Sequence, residues 1–207
     1  MSKLYAGVAA AAVVGLLGGS FLYIQMQRGG DDFAECRQGV AGGDIGGPFT
    51  LVNSAGQTVT EKEVLQKPSL VYFGYTFCPD VCPLDMLRNV EAVDLLDERG
   101  MDVTPVFISI DPERDTPEAL ADYVSNLHPK LIALTGSADQ VKAAAQAYKT
   151  VYKKRETGDE YYLMDHMTFT YLMLPGEGFV DFFRRDITSE QLAESVACFV
   201  QASKADT

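Results

Sequence analysis

Residues 69–87, Ser-Leu-Val-Tyr-Phe-Gly-Tyr-Thr-Phe-Cys-Pro-Asp-Val-Cys-Pro-Leu-Asp-Met-Leu, constrain this chain more than any other stretch. The apolar, aromatic-rich run from Leu70 to Phe77 predicts a buried strand, and a helical pattern follows it. Between them stand two cysteines, Cys78 and Cys82, spaced Cys-x-x-x-Cys. A helix start carries partial positive charge and unpaired N–H groups, which favour thiolate over thiol. Asp80, between the two, opposes that preference electrostatically. Thiolates exchange with disulfides and bind soft metals, so both chemistries stand open here. A purely structural cysteine pair is the blander reading, and the strand-to-helix corner with its flanking prolines weighs against it.

The flanking sequence builds an alternating fold around this unit. Phe49-Thr-Leu-Val-Asn53 and Gln57-Thr-Val59 flank Ser54-Ala55-Gly56, a hairpin signal, and Thr60 to Glu63 fits a capping box. Met86, Val90, Val93 and Leu96 give the helix after the cysteines an apolar stripe, with Cys82 leaning toward it and Cys78 more exposed. If that helix carries both cysteines, their spacing of four puts them on one face. Residues 103–110 predict a second buried strand, and Thr116-Pro117 opens a second helix as N-cap and N1. Residues 132–134 predict a short strand, Ser137 and Gln140 cap a helix reaching about Thr150, and residues 161–174 predict one further strand. Pro175 to Gly178 turns that strand into Phe179–Phe183, and Thr188 with Gln191 caps the last helix. The expected class is α/β with a thioredoxin-like fold. That means a mostly parallel central sheet with helices on both faces, an N-terminal β-hairpin and a C-terminal antiparallel hairpin.

Residues 4–24 contain no charge and are long enough to cross a bilayer as one helix, with Tyr5 and Tyr23 near the ends. A cleaved signal peptide is the rival, since Gly18-Gly19-Ser20 could be cut, but the apolar run continues past it. The expected organisation is therefore a membrane anchor at 1–24, a Gly- and charge-rich linker at 25–47, and one domain at 48–207. No Arg-rich amphipathic presequence precedes the span, which favours a bacterial inner membrane with the domain on the periplasmic side. A net charge of −12 excludes nucleic acid as a natural partner, because phosphates would be repelled.

Only two histidines are present. His128, before Pro129, reads as a surface turn residue. His166 lies in Met164-Asp165-His166-Met167, on the strand that a thioredoxin-like fold packs beside the cysteine corner. Met164 and Met167 could offer thioethers, although strand alternation favours core packing for them. Two thiolates and one imidazole form a soft, three-coordinate set that suits Cu(I) over Cu(II), whereas structural zinc wants a fourth protein ligand. A thiol peroxidase would need one activated thiolate with a nearby arginine, and Arg88 is the close basic residue in sequence.

YFGYTFCPDVCP, ISIDPERDTPE and the MDH stretch followed by Thr170-Tyr-Leu resemble the Sco/SenC family of copper-binding assembly factors for cytochrome c oxidase. The resemblance covers the chain from about Gly46 to Phe199. It implies that Cys78, Cys82 and His166 bind copper, delivered to the binuclear CuA centre of oxidase subunit II after receipt from an upstream donor. It also allows a thiol–disulfide oxidoreductase that keeps that subunit's cysteines reduced, with Cys78 and Cys82 as the redox pair. Asp111 and Asp115 of the Asp-Pro-x-x-Asp segment read as loop-shaping residues. Cys36 and Cys198 lie outside the motifs, and in an oxidising compartment an even pair is expected to form a structural disulfide.

Overall fold

A computed structural model describes residues 13–22, 33–37, 44–155 and 161–205. The chain divides into two units, residues 1–35 and 36–207. In the first, residues 13–22 are helical (α1), with Val13, Val14, Leu16, Leu17, Phe21 and Leu22 exposed. Among the described residues no helix is long and apolar enough to cross a membrane. The rest of the expected span, residues 4–12 and 23–24, lies outside the described residues, as does most of the expected linker.

In the second unit the elements run β1 (Thr50–Asn53), β2 (Thr58–Thr60), α2 (Glu61–Val64), β3 (Ser69–Gly74), α3 (Val81–Glu98), β4 (Thr104–Ser109), α4 (Pro117–Leu127), β5 (Ile132–Thr135) and α5 (Ala138–Ala147). There follow β6 (Tyr152–Lys154), β7 (Met164–His166), β8 (Thr170–Leu174), β9 (Gly178–Phe183) and α6 (Ser189–Ala205). Seven strands form one sheet in the order β2-β1-β5-β4-β3-β8-β9. The parallel part is its centre, β5-β4-β3, with antiparallel pairs at both flanks. Every residue of β3 is buried, which explains its unbroken apolar run. Its two faces meet different helices. The Tyr72 hydroxyl donates to Asp85 of α3 at 2.9 Å, while Phe73 packs on Tyr148, the C-cap of α5, at 5.2 Å between ring centroids.

The capping signals act as expected. Thr116 accepts from the Ala119 N–H with Pro117 in the first turn, Ser137 and Gln140 bond reciprocally, and so do Thr188 and Gln191. Glu63 accepts the Thr60 N–H at 2.8 Å.

Three expectations need correction. The strand predicted over 161–174 is two strands: β8 belongs to the main sheet, while β7 pairs antiparallel with β6 in a separate two-stranded sheet. Burial explains the break, because β8 is buried throughout whereas β7 is half-exposed and cannot continue into the interior. The helix predicted to reach Thr150 ends at Ala147, and Lys149 at φ 53° turns the chain into β6, which no sequence signal had marked. His128, expected at the surface, is buried as the C-cap of α4. Its Nδ1 accepts from the Lys130 N–H and its Nε2 meets Asp94, each at 3.1 Å. Cys36 and Cys198 form a disulfide with Cα atoms 5.6 Å apart, tying residue 36 to α6.

Candidate metal centre

β3 ends at Gly74 and α3 begins only at Val81, so Cys78 stands in the connecting loop and not on the helix. The shared helix face expected from spacing is therefore not what brings the thiols together. The Cys78 N–H donates to the Tyr75 carbonyl at 3.2 Å, curling the loop back. Its Sγ then accepts the Cys82 N–H at 3.4 Å. Asp80 occupies the N-cap position, yet its side chain caps nothing. The sulfur thus takes the place of a capping oxygen for one of the orphan donors at the helix start.

This arrangement splits the two thiols electrostatically. Burial raises the Cys78 thiol, but the N–H groups of Cys82, Asp80 and Val81, with the Cys82 side chain, outweigh it and hold Cys78 below its ordinary value. The N–H groups at the helix start therefore prevail over burial. Cys82 goes the other way: burial drives it well up, a Tyr75 N–H offsets part of that, and the Cys78 sulfur adds to the rise. Both thiols are buried and unpaired, Cys78 at 7% exposure and Cys82 at 1%, so Cys78 is less exposed than sequence implied. Gly74 makes room for Cys82, since a Cβ there would lie 3.1 Å from its Sγ.

His166 reaches the pair from β7. Its Nε2 is 3.2 Å from Cys82 Sγ, and its Nδ1 lies 2.9 Å from the Met167 carbonyl, to which it donates as the N–H tautomer. That bond leaves Nε2 with its lone pair facing the thiols, the usual way a ligating imidazole is oriented. Burial lowers the imidazole, which keeps it neutral and able to ligate. The rings of Tyr72 and Tyr75 stand edge-on to it at 6.1 and 6.0 Å. The ligand atoms of Cys78, Cys82 and His166 all lie within 4.8 Å of one another, and no fourth His, Cys, Asp or Glu among the described residues joins them.

Two networks hold the loops that deliver these groups. Asp115, buried beneath, accepts from Thr76 N–H at 3.1 Å and from the hydroxyls of Thr76 and Ser109, which pins the cysteine loop to the loop after β4. Asp111 accepts from the Tyr162 hydroxyl at 2.6 Å and also pairs with Arg114, which donates to the Tyr162 carbonyl at 3.0 Å. The Met164 N–H donates to the Tyr75 hydroxyl at 3.3 Å. Both aspartates thus shape loops, while the parts of Tyr75, Arg114 and Tyr162 were not read from sequence, where only the Asp-Pro-x-x-Asp spacing pointed to them. Met164 packs partly buried against the core. Arg88 is buried, its guanidinium donating to Thr170, Asn89 and the Arg184 carbonyl, so it is not disposed to activate Cys78 as a peroxidatic thiol.

Fold and site together define a thioredoxin-like domain in which two cysteines and one histidine converge as a soft-metal clamp. The SCO1/SenC family profile matches residues 38–201. Protein SenC of Rhodobacter capsulatus is 53% identical over 203 residues, covering 97% of this chain and 92% of that protein. Arabidopsis thaliana ScoI, solved with copper bound, superposes with a TM-score of 0.72 at 43% identity, over 76% of this chain and 99% of that one. Bradyrhizobium japonicum ScoI, also solved with copper bound, gives 0.68 at 38% identity, over 74% and 98%. The chain belongs to the SCO1/SenC family.

Proposed function

We propose that this protein is a membrane-anchored copper chaperone that holds Cu(I) through Cys78, Cys82 and His166. It passes the ion to the CuA centre of cytochrome c oxidase subunit II at the periplasmic face of a bacterial inner membrane, after loading by an upstream donor. The observation that carries the reading is the convergence of two sulfurs and an imidazole nitrogen of His166 within 4.8 Å. That donor set matches the softness of Cu(I), and three protein ligands leave a position open for handing the ion on. The likeness to relatives solved with copper bound supports the same reading.

The test uses the full chain with Cys78 and Cys82 reduced. One copper per chain is expected, and His166→Ala should weaken binding by ~100-fold, a loss that even outer-shell changes reach. Parental affinity in that variant overturns the three-ligand site. A second reading is favoured by the split between the thiols. A lowered Cys78 beside a raised Cys82 is the pattern of an attacking and a resolving thiol, as in a disulfide reductase acting on the subunit's cysteines. In that case target reduction survives His166→Ala and fails with Cys78→Ser. An oxidised pair cannot supply two thiolates, so redox state gates metal binding in either reading.

A further inference from the structure

Beside His166 lies a cavity of about 270 Å³ lined by His166, Met167, Thr168, Phe169, Arg184 and Arg185. The two arginines follow β9 and have exposed side chains, 73% for Arg184 and 44% for Arg185. Their nearest carboxylates are Asp186, 3.6 Å from Arg184 Nε, and Asp85, 3.7 Å from Arg185 Nε. Both separations exceed a hydrogen bond, so neither pair uses the forked donor geometry that guanidinium offers a carboxylate. The backbone beneath is held in place. Arg88 donates from Nη1 to the Arg184 carbonyl at 3.0 Å and from Nη2 to Thr170 at 2.8 Å. Phe169 packs on Phe182 with ring centroids 4.8 Å apart, giving the cavity a firm apolar wall.

Charge makes this placement informative. In a chain of net charge −12, two guanidinium groups, each only loosely paired with a carboxylate, line a cavity beside the candidate ligand His166. A second acidic protein would be repelled over most of the surface and attracted here. We infer that the cavity takes an aspartate or glutamate side chain from the protein that receives copper from the metal site, Arg184 and Arg185 binding its carboxylate. This rests on the copper-transfer reading. A carboxylate seated there brings the partner's surface against His166, where its own ligands can reach the ion. Electrostatic pairing of this kind fixes orientation and speeds encounter more than it adds affinity.

The test has two arms on the full chain in detergent micelles. In the first, the reduced, metal-free protein is titrated with acetyl-hexaglutamate amide while NMR follows the Arg184 and Arg185 Nε–H groups and the His166 ring. Saturable shifts at all three are expected. Arg184→Gln with Arg185→Gln should weaken the peptide by about tenfold, Arg184→Lys with Arg185→Lys should lose less, and hexalysine should not bind. In the second arm, copper passes from the loaded protein to the soluble CuA domain of subunit II. The double glutamine variant should transfer about tenfold more slowly, the range in which steering acts, with its bound-copper spectrum unchanged. No saturable shift, or a shift that survives the glutamine variant, overturns the proposal. So does loss in that variant of binding to phosphatidylglycerol vesicles while peptide binding persists. The first arm involves neither copper nor subunit II. If the peptide binds as expected but the parent delivers no copper, the chaperone reading falls and the carboxylate cavity stands.

Discussion

Replacing Gly74 by alanine tests how tightly the end of β3 is fitted to the metal centre. The added Cβ would lie 2.9 Å from Tyr72 Cε1, 3.0 Å from Phe107 Cε2 and 3.1 Å from Cys82 Sγ. All three neighbours are almost wholly buried, so none can swing into solvent. The backbone at Gly74 is not in the left-handed region, so alanine meets crowding and no backbone strain. Overpacking of this kind costs ~1–3 kcal/mol. The stiffer unfolded chain returns ~0.4–1 kcal/mol, leaving a net loss centred near ~1.3 kcal/mol within a span of ~0–2.6 kcal/mol. With a urea m-value of ~2 kcal/mol/M, the denaturation midpoint should fall by ~0.5–1 M. The measurement is urea unfolding of the metal-free protein by circular dichroism, with the Cys36–Cys198 disulfide intact. Copper affinity is read on the same sample and should fall several-fold, because Cys82 Sγ must retreat from a position 3.2 Å from His166 Nε2. An unchanged midpoint together with parental copper affinity would refute the claim that Gly74 is required for a close approach.

Substituting serine for both Cys36 and Cys198 releases a cross-link spanning 162 residues, for which loop entropy alone gives ~5 kcal/mol as an upper figure. A fall of ~2–5 kcal/mol in unfolding free energy is expected, and a change under ~1 kcal/mol would contradict that role. Tyr72→Phe removes the hydroxyl that donates to buried Asp85, so ~1–3 kcal/mol should be lost in thermal or urea unfolding. In the metal-free protein burial holds the His166 pKa below its ordinary 6.5, so the folded state binds fewer protons than the unfolded one. Stability present above about pH 6.5 should therefore decline as pH falls through the lowered value, and His166→Asn should flatten that decline. Iodoacetamide should label Cys78 at a pH below the ordinary thiol range and Cys82 only above it, as read by mass mapping across pH. Equal profiles for the two cysteines would contradict the electrostatic split.

The parts of the fold legible in sequence were those set by local rules. Each capping pair signals itself through side chains three residues apart, and β3 through a run of apolar residues buried on both faces. The candidate ligands were legible because few residue types can bind a soft metal and the chain carries only two histidines. What stayed hidden depended on non-local partners. Nothing in Tyr152-Lys-Lys154 marks a strand until Met164–His166 lies beside it, and the break at 167–169 follows from burial of the next segment. Cys78 and Cys82 looked like one helix face because helix periodicity does not locate the first turn. The helix begins at Val81, and the thiols meet because Cys78 curls back over the helix end. Arg184 and Arg185 drew no notice in sequence, since only the fold brings the turn after β9 to the side of His166.

That curl gives the two cysteines of the candidate metal site unlike environments. Had both cysteines stood on the helix, each would share a similar environment. Placed in the loop, Cys78 gathers N–H groups from Asp80, Val81 and Cys82 and ionises readily, while Cys82 stays buried and protonated beside it. A metal that enters must displace the Cys82 proton, so binding should release protons and strengthen with rising pH. The neutral His166 Nε2, 3.2 Å from Cys82 Sγ, supplies the third donor, and once it binds the metal its lone pair cannot also hold the Cys82 proton, which leaves to solvent. Removing His166 should therefore subtract a ligand and leave the number of protons released unchanged above about pH 6.5, where the imidazole is already neutral. The copper affinity of His166→Ala should be weaker than the parent's yet rise with pH at the same slope above about pH 6.5, because in both proteins the Cys82 proton leaves to solvent. Isothermal titration in buffers of different ionisation enthalpy counts the protons released. A proton count for His166→Ala that differs from the parent's above about pH 6.5 would overturn the assignment of the released proton to Cys82.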